Sequence, residues 1–185
     1  MAIQNVEGRI ITETERLIIR EMKQSDLDAL CRIMCDEEVM HAAYESAFSI
    51  EEVQGWLNRH LKRYEDYGFG LWAVVLKETG EMIGQCGLTL QTWQDKEILE
   101  IGYLFQKAYW HKGYATEAAI ACKEYAFTVL NASRVYSMIR DTHIASQNVA
   151  IRNGMKIIDK FTKNFRYVDM NFFLYSVDRT NEVEK

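Results

Sequence analysis

Residues 97–140 order a strand-forming run, EILEIGYLF, a glycine turn, YWHKGYATEA, a long helical pattern and a second strand-forming run, SRVYSMIR. A strand, a crossover helix and a second strand at this spacing imply one parallel strand pair, since an antiparallel pair needs only a short turn. The helix, from Gly113 to Val129, carries Ala115, Ala118, Ala119, Cys122 and Ala126 at helical spacing on one side. Small side chains there permit close packing against a sheet.

The remaining runs build outward from this unit. RLIIRE at 16–21 has the β-branched content of a strand. QSDLDALCRIM follows as a helix, capped by Ser25 or Asp26 and striped by Leu27, Leu30, Ile33 and Met34. The segment DEEVMHAAYESAF at 36–48 shows no strong period and reads as an irregular connection, a place where substrate contacts often lie. Ser49 with Glu52 then forms a capping-box pattern ahead of Val53, Trp56, Leu57, Leu61 and Tyr64 at helical spacing. Runs at 69–76, 81–91 and 97–105 are joined by short polar turns and predict an antiparallel meander. Gly84, Gly87 and Gly102 within them suggest bulges or a close backbone approach. SRVYSMIR reads as a buried strand, IASQNVAIRNG as a short helix ending at Gly154, and MKIIDKF with NFFLYSV as the last two strands. The expectation is an α+β fold, a mixed and mostly antiparallel sheet of about seven strands flanked by about four helices. With no internal repeat or linker, residues 1–185 read as a single domain.

Composition excludes several classes of function. A net charge of −5 with no basic stripe argues against nonspecific nucleic-acid binding and mildly favours a cationic substrate. The N-terminal run has no signal-peptide pattern, and no stretch of about eighteen apolar residues occurs, so a cytoplasmic location without membrane association is expected. Cys31, Cys35, Cys86 and Cys122 lack metal-site or disulfide-scaffold spacing and read as reduced structural thiols, with no metal expected.

The turn itself carries chemistry. A tight turn at a helix start presents unpaired N–H groups and the positive end of the helix dipole, which suits a pyrophosphate. Gly113 lets a phosphate approach the backbone, Ala115 keeps the first turn small, Lys112 adds a cation and Thr116 a hydroxyl donor. A merely permissive loop glycine is the alternative on this local evidence. Neither the spacing of a dinucleotide-binding fingerprint nor that of a Walker loop is present.

The run resembles the acetyl-coenzyme A site of the GCN5-related N-acetyltransferases (GNAT), whose pattern is Arg or Gln, two residues, Gly, one residue, Gly or Ala. Gly113 and Ala115 match its last two fixed positions, and Trp110 occupies the first. The longer string WHKGYATEA, the opening TETERLIIRE, the run EIGYLF and the late IASQNVAIRNGM resemble the RimJ/RimL branch, and together they span about Thr12 to Val177. The resemblance implies a single GNAT-like domain that uses acetyl-CoA as co-substrate and acetylates a primary amine, most simply a protein N-terminal amine. Acetylation of a small amine, such as a polyamine, an amino compound or an antibiotic, is the alternative within the class. A catalytically inactive CoA-binding module is the alternative outside it, and a monomer or homodimer fits either.

Acetyl transfer needs a neutral amine, an aligned carbonyl, a stabilised oxyanion and a proton for the thiolate. The resemblance implies that the strand ending at Phe105 splays from its neighbour, with the Phe105 N–H polarising the acetyl carbonyl. It also implies that His111, Lys112, Gly113, Tyr114, Ala115 and Thr116 hold the cofactor. Glu100, inside an apolar strand, is the candidate base; pairing with a cation or facing solvent is the alternative. The thiolate-protonating tyrosine of many members corresponds to Ala150, and Ser146 matches the serine of the RimJ/RimL pattern whose hydroxyl could reach the sulfur or the pantetheine. His143 stands where that pattern has Asn; a neutral imidazole still donates one hydrogen bond. Tyr44, Glu45, Trp72 and Tyr103 are candidates for an acceptor pocket, with Glu45 holding a cationic amine. Plain core packing is the alternative for the aromatics.

Overall fold

Alternation along two adjacent strands sets the architecture. Leu17 and Ile19 enter one hydrophobic cluster while Ile18 enters another, and Trp72 and Val74 alternate in the same way with Leu71, Ala73 and Val75. A strand whose two faces are both apolar must be covered on both sides. The computed structural model describes residues 8–44, 46–165 and 167–180. It shows a sheet between two helical layers.

Eight strands form the sheet: β1 (Ile10–Glu13), β2 (Leu17–Arg20), β3 (Leu71–Leu76), β4 (Met82–Trp93), β5 (Lys96–Phe105), β6 (Arg134–Arg140), β7 (Lys156–Phe165) and β8 (Val168–Asp178). Their spatial order is β1-β2-β3-β4-β5-β6-β8-β7. Helices α1 (Leu27–Met34), α2 (Glu37–Tyr44) and α3 (Ile50–Tyr67) cover one face, and α4 (Tyr114–Thr128) and α5 (Ile144–Arg152) the other. The fold is α+β with a mixed, mostly antiparallel sheet, and has one strand and one helix more than expected. Among the described residues no helix is long and apolar enough to cross a membrane.

The expected meander is present, with β2 through β5 paired antiparallel in sequence. A Cβ at Gly87 would lie 2.1 Å from the Gly70 carbonyl oxygen, so the expected close backbone approach occurs there. The Ser49–Glu52 capping box is also formed, Ser49 Oγ accepting from the Glu52 N–H at 3.2 Å and the Glu52 carboxylate accepting from the Ser49 N–H at 2.8 Å.

Three features differ from the sequence expectation. Residues 37–44 are helical, because Asp36 Oδ1 caps the N–H groups of Glu38 and Val39 and the turn buries Val39 and Met40. β1 is an additional edge strand, too short and too exposed for its pattern to stand out. β6 alternates buried and partly exposed residues instead of being buried throughout. The second partner of β6, which no sequence reading assigned, is β8 and not the sequentially nearer β7.

Ser25 and Asp26 sit in a short 3-10 turn ahead of α1, and the expected cap takes another form. Asp26 accepts the Lys23 N–H at 2.8 Å and binds the Arg20 guanidinium through two bonds of 2.7 and 2.8 Å. Both side chains are buried, so this bidentate pair locks β2 to the first helix.

Candidate active site

The sheet opens between β5 and β6. Their parallel pairing consists of one register position, Glu100 opposite Tyr136. Beyond it, Ser137 Oγ donates to the Ile101 carbonyl at 2.9 Å, and the Met138 N–H is received at 3.1 Å by the Glu100 carboxylate. A side chain thus takes the place of a backbone acceptor where the strands part.

The end of β5 is held in a defined orientation. Gln106 N–H donates to the Ile83 carbonyl, so by antiparallel alternation the backbone groups of Phe105 point away from β4, toward the opening. Trp110 explains the departure at the first position of the glycine pattern. Its indole N–H donates to the Phe105 carbonyl at 2.9 Å and clamps the strand end to the turn.

Two cavities meet at the opening. The first, about 410 Å³, runs between the end of β5 and α5 to the glycine turn and includes Phe105, His111, Gly113, Tyr114, Ala115 and Thr116. Gly113 stands at φ 82°, a left-handed conformation that suits glycine, and no side chain caps the N-terminus of α4. His111 is also left-handed, at φ 59°. Arg16 braces this turn, donating to the Lys112 carbonyl at 2.9 Å and stacking over the Tyr114 ring at 4.4 Å. Glu117 receives Arg16 at 2.7 Å and Thr14 at 2.5 Å. Burial pushes the Glu117 carboxyl up, but these bonds outweigh it and hold the group below its usual range. The acid in the first turn is therefore neutralised, and the exposed N–H groups of α4 keep their positive character. Lys112 lies over the Tyr109 ring, 5.3 Å from its centroid, and is not among the residues lining the cavity.

The second cavity, about 310 Å³, lies between α2, α3 and the strands, and contains Tyr44, Trp56 and Glu100. Tyr103, Leu104, His143 and Ser146 line both cavities. Tyr103 Oη lies 2.9 Å from Ser146 Oγ and 3.0 Å from the Ser146 carbonyl oxygen. Burial, first, raises the Tyr103 phenol pKa, so the hydroxyl stays protonated. Burial and then the Arg140 charge lower the His143 pKa, which keeps the imidazole neutral and able to donate one hydrogen bond.

Glu100 neither faces open solvent nor forms an ion pair among the described residues. Burial raises its pKa, while the Met138 N–H and the nearby Lys163 charge oppose that rise. Its second carboxylate oxygen lies 3.5 Å from Thr89 Oγ1. A half-buried carboxylate of raised pKa beside a cavity has the character of a base.

Trp72 does not reach either cavity. It is fully buried against α4, edge-on to Tyr125 at 5.1 Å. The reason is the strand period: Leu71 lines the second cavity, so Trp72 must face the opposite side of the sheet. Glu45 lies outside the described residues. Ala150 is buried, so the position of the family tyrosine is part of the core. Asn148 and Arg152 of α5 line the first cavity, and Trp56, Arg59, Arg63 and Lys163 line the second. These were not foreseen, since each belongs to a polar or amphipathic face whose neighbours are set only by tertiary packing. The i, i+4 spacing of Arg59 and Arg63 was the one available signal.

The acetyltransferase (GNAT) domain family matches residues 16–156. A Bacillus subtilis protein, YkkB, is 32% identical over 162 residues, covering 86% of this chain and 93% of that protein. The crystal structure of an acetyltransferase from Agrobacterium tumefaciens is similar with a TM-score of 0.75 and 26% identity, over 91% of this chain and 94% of the other. A structure of RimL, a ribosomal L7/L12 α-N-protein acetyltransferase in complex with coenzyme A, shares the fold with a TM-score of 0.75 at 16% identity, over 92% of this chain and 98% of the other.

Proposed function

This chain belongs to the GNAT family of acetyltransferases and is an acyltransferase that uses acetyl-CoA, and from that premise we propose that it N-acetylates a primary amine at the junction of its two cavities. The first cavity is the cofactor cleft and the second the acceptor pocket. The observation that carries this reading is that Tyr103, Leu104, His143 and Ser146 line both cavities, directly beside the point where β5 and β6 part.

The residues present fit acetyl-CoA. An uncapped helix start behind a left-handed glycine suits a pyrophosphate, and the edge of β5 turned away from β4 offers backbone groups to an extended arm. When bound, acetyl-CoA supplies a thioester acetyl group and a sulfur that leaves readily, its thiol pKa being near that of cysteine, roughly 8.5.

The protein supplies position and proton handling. Glu100, directly or through water, takes the proton that the amine loses as its nitrogen bonds to the acetyl carbon. The Phe105 N–H directs a dipole to the acetyl oxygen as negative charge develops there. The C–S bond breaks, and the Tyr103–Ser146 hydroxyl pair offers a hydrogen bond to the departing sulfur, replacing the tyrosine absent at Ala150. Neutral His143 adds a donor beside the pantetheine.

A protein N-terminal amine is the preferred acceptor. It begins at a pKa of about 7.7–8.0, against roughly 10.4 for a lysine-type amine, so a larger share is already neutral near pH 7 and Glu100 has only to accept the proton released on attack. RimL, which shares the fold, bears the name of an α-N-protein acetyltransferase. A thiol-release assay with N-terminal peptides, polyamines and aminoglycosides, run on wild type and Glu100→Gln, tests this reading. Turnover of peptides that falls in the variant supports it; cofactor binding without turnover of any amine contradicts it.

A further inference from the structure

The charge lining the acceptor pocket is opposite to that of the whole chain. Arg59 and Arg63 stand one turn apart on α3, Arg140 projects from β6 and Lys163 from β7, and all four line the same cavity as Glu100. Among the described residues Glu100 is the one acidic side chain that lines it. Arg140 is engaged, donating to the His41 carbonyl at 2.8 Å. The other three cations take part in no ion pair among the described residues.

Their field is felt inside the pocket. His60, buried beneath Arg59 and Arg63, is pushed down to about 3, first by burial and then by the charges of Arg63 and Arg59. Lys163 acts on Glu100 and Arg140 on His143 in the same direction, each favouring negative charge in the cavity. Arg59, Arg63 and Lys163, gathered around one concave site, repel one another, so a ligand anion that relieves this repulsion binds with a gain. Arginine also offers a planar fork that matches a carboxylate. Trp56 supplies an apolar wall beside Arg59, whose guanidinium carbon lies 5.8 Å from the ring centroid.

We propose that the acceptor is an amine that also carries carboxylates: its nitrogen goes to Glu100 while its carboxylates meet Arg59, Arg63 and Lys163. The chain's net charge of −5 suggested the reverse, a cationic acceptor, but the local lining decides what enters the pocket. The shared chemistry is found in the first residues of an acidic polypeptide and in a free dicarboxylic amino acid. The inference rests on the assignment of the second cavity as the acceptor pocket.

The test uses three amidated peptides, Ser-Glu-Glu, Ser-Gln-Gln and Ser-Lys-Lys, together with free glutamate and aspartate. Thiol release gives kcat/KM, and calorimetry in the presence of coenzyme A gives affinity without turnover. The acidic peptide should exceed the neutral one by roughly tenfold and the basic one by more. In Arg59→Gln/Arg63→Gln the acidic-to-neutral ratio should collapse, and Lys163→Gln, at an exposed site, should reduce it without affecting folding. Preference for free amino acids over peptides identifies the small source, and the converse the polypeptide. Equal use of the three peptides, or a basic preference, overturns the inference while leaving acetyl transfer intact. Charge-ordered binding without turnover does the opposite: the anion-binding pocket stands and the acetyl-transfer reading falls.

Discussion

The Tyr103 phenol oxygen lies 2.9 Å from Ser146 Oγ and ties the end of β5 to the first turns of α5 across the opening between the cavities. Removal of either hydroxyl separates a structural role from a chemical one. Tyr103→Phe and Ser146→Ala should each cost about 1 kcal/mol of stability, the net worth of one hydrogen bond. If the pair also stabilises the leaving sulfur, kcat should fall roughly tenfold or more in each variant, and the double variant should be no worse than the poorer single one. Loss of stability with unchanged kcat would leave the pair a structural brace.

Glu100 should govern the acid limb of activity. Burial raises its pKa, so the limb of kcat/KM should lie above the ordinary glutamate value of roughly 4.3 and vanish in Glu100→Gln, with activity reduced about a hundredfold. Stability moves the other way. A carboxylate whose folded pKa is raised makes the fold less stable as pH rises from the unfolded value through the folded one. Urea titrations across that window should show this loss in wild type and not in the variant.

His60 gives the opposite slope. Its Nδ1 accepts the Leu71 N–H at 3.2 Å, and its pKa is lowered from 6.5 to about 3. The unfolded chain takes up a proton that the folded chain refuses, so stability should fall as pH drops from about 6.5 toward 3, by about 1.4 kcal/mol per unit at most. His60→Gln, which retains an acceptor, should flatten this slope in denaturant titrations; an unchanged slope would assign the effect to other groups.

The buried Arg20–Asp26 pair should show the asymmetry of internal charges. Arg20→Met leaves Asp26 buried without its cation and should cost about 3–5 kcal/mol, whereas adding Asp26→Leu should restore much of that. Urea unfolding midpoints of the two variants decide the matter, and a single-variant loss below about 1 kcal/mol would contradict it.

The local parts of this molecule were legible in its sequence. Ser49 and Glu52 announced α3, and the glycine turn with its small-residue helix announced the crossover that makes β5 and β6 parallel. Both signals lie within a few residues of what they specify. What depended on distant contacts was not legible. The residues of α2 are held by a cap at Asp36 and by burial against other helices, and β8 reaches β6 by a pairing that no local pattern encodes. The site divided in the same way. Glu100 and Gly113 stand out by their own surroundings, but Arg59, Arg63 and Lys163 look like solvated surface until α3 and β7 bring them to one cavity. Trp72 misled for a related reason: its aromatic character was visible, but the face it takes follows from strand register.

Titration of acetyl-CoA into wild type and Gly113→Val tests the central claim, that the turn before α4 anchors the cofactor whose acetyl group reaches the Tyr103–Ser146 junction. A valine at φ 82° is strained by about 1–3 kcal/mol, and its Cβ would come within 3.3 Å of Arg16 Nη2, which pairs with Glu117 Oε2 at 2.7 Å and must give by a few tenths of an ångström, so the fold should persist at a somewhat lower melting temperature. Affinity for acetyl-CoA should fall by at least roughly tenfold, because a branched side chain then occupies the approach to the α4 N–H groups. Equal affinity in a folded variant would remove the phosphate-binding role of the turn and, with it, the placement of the two substrates on which the mechanism rests.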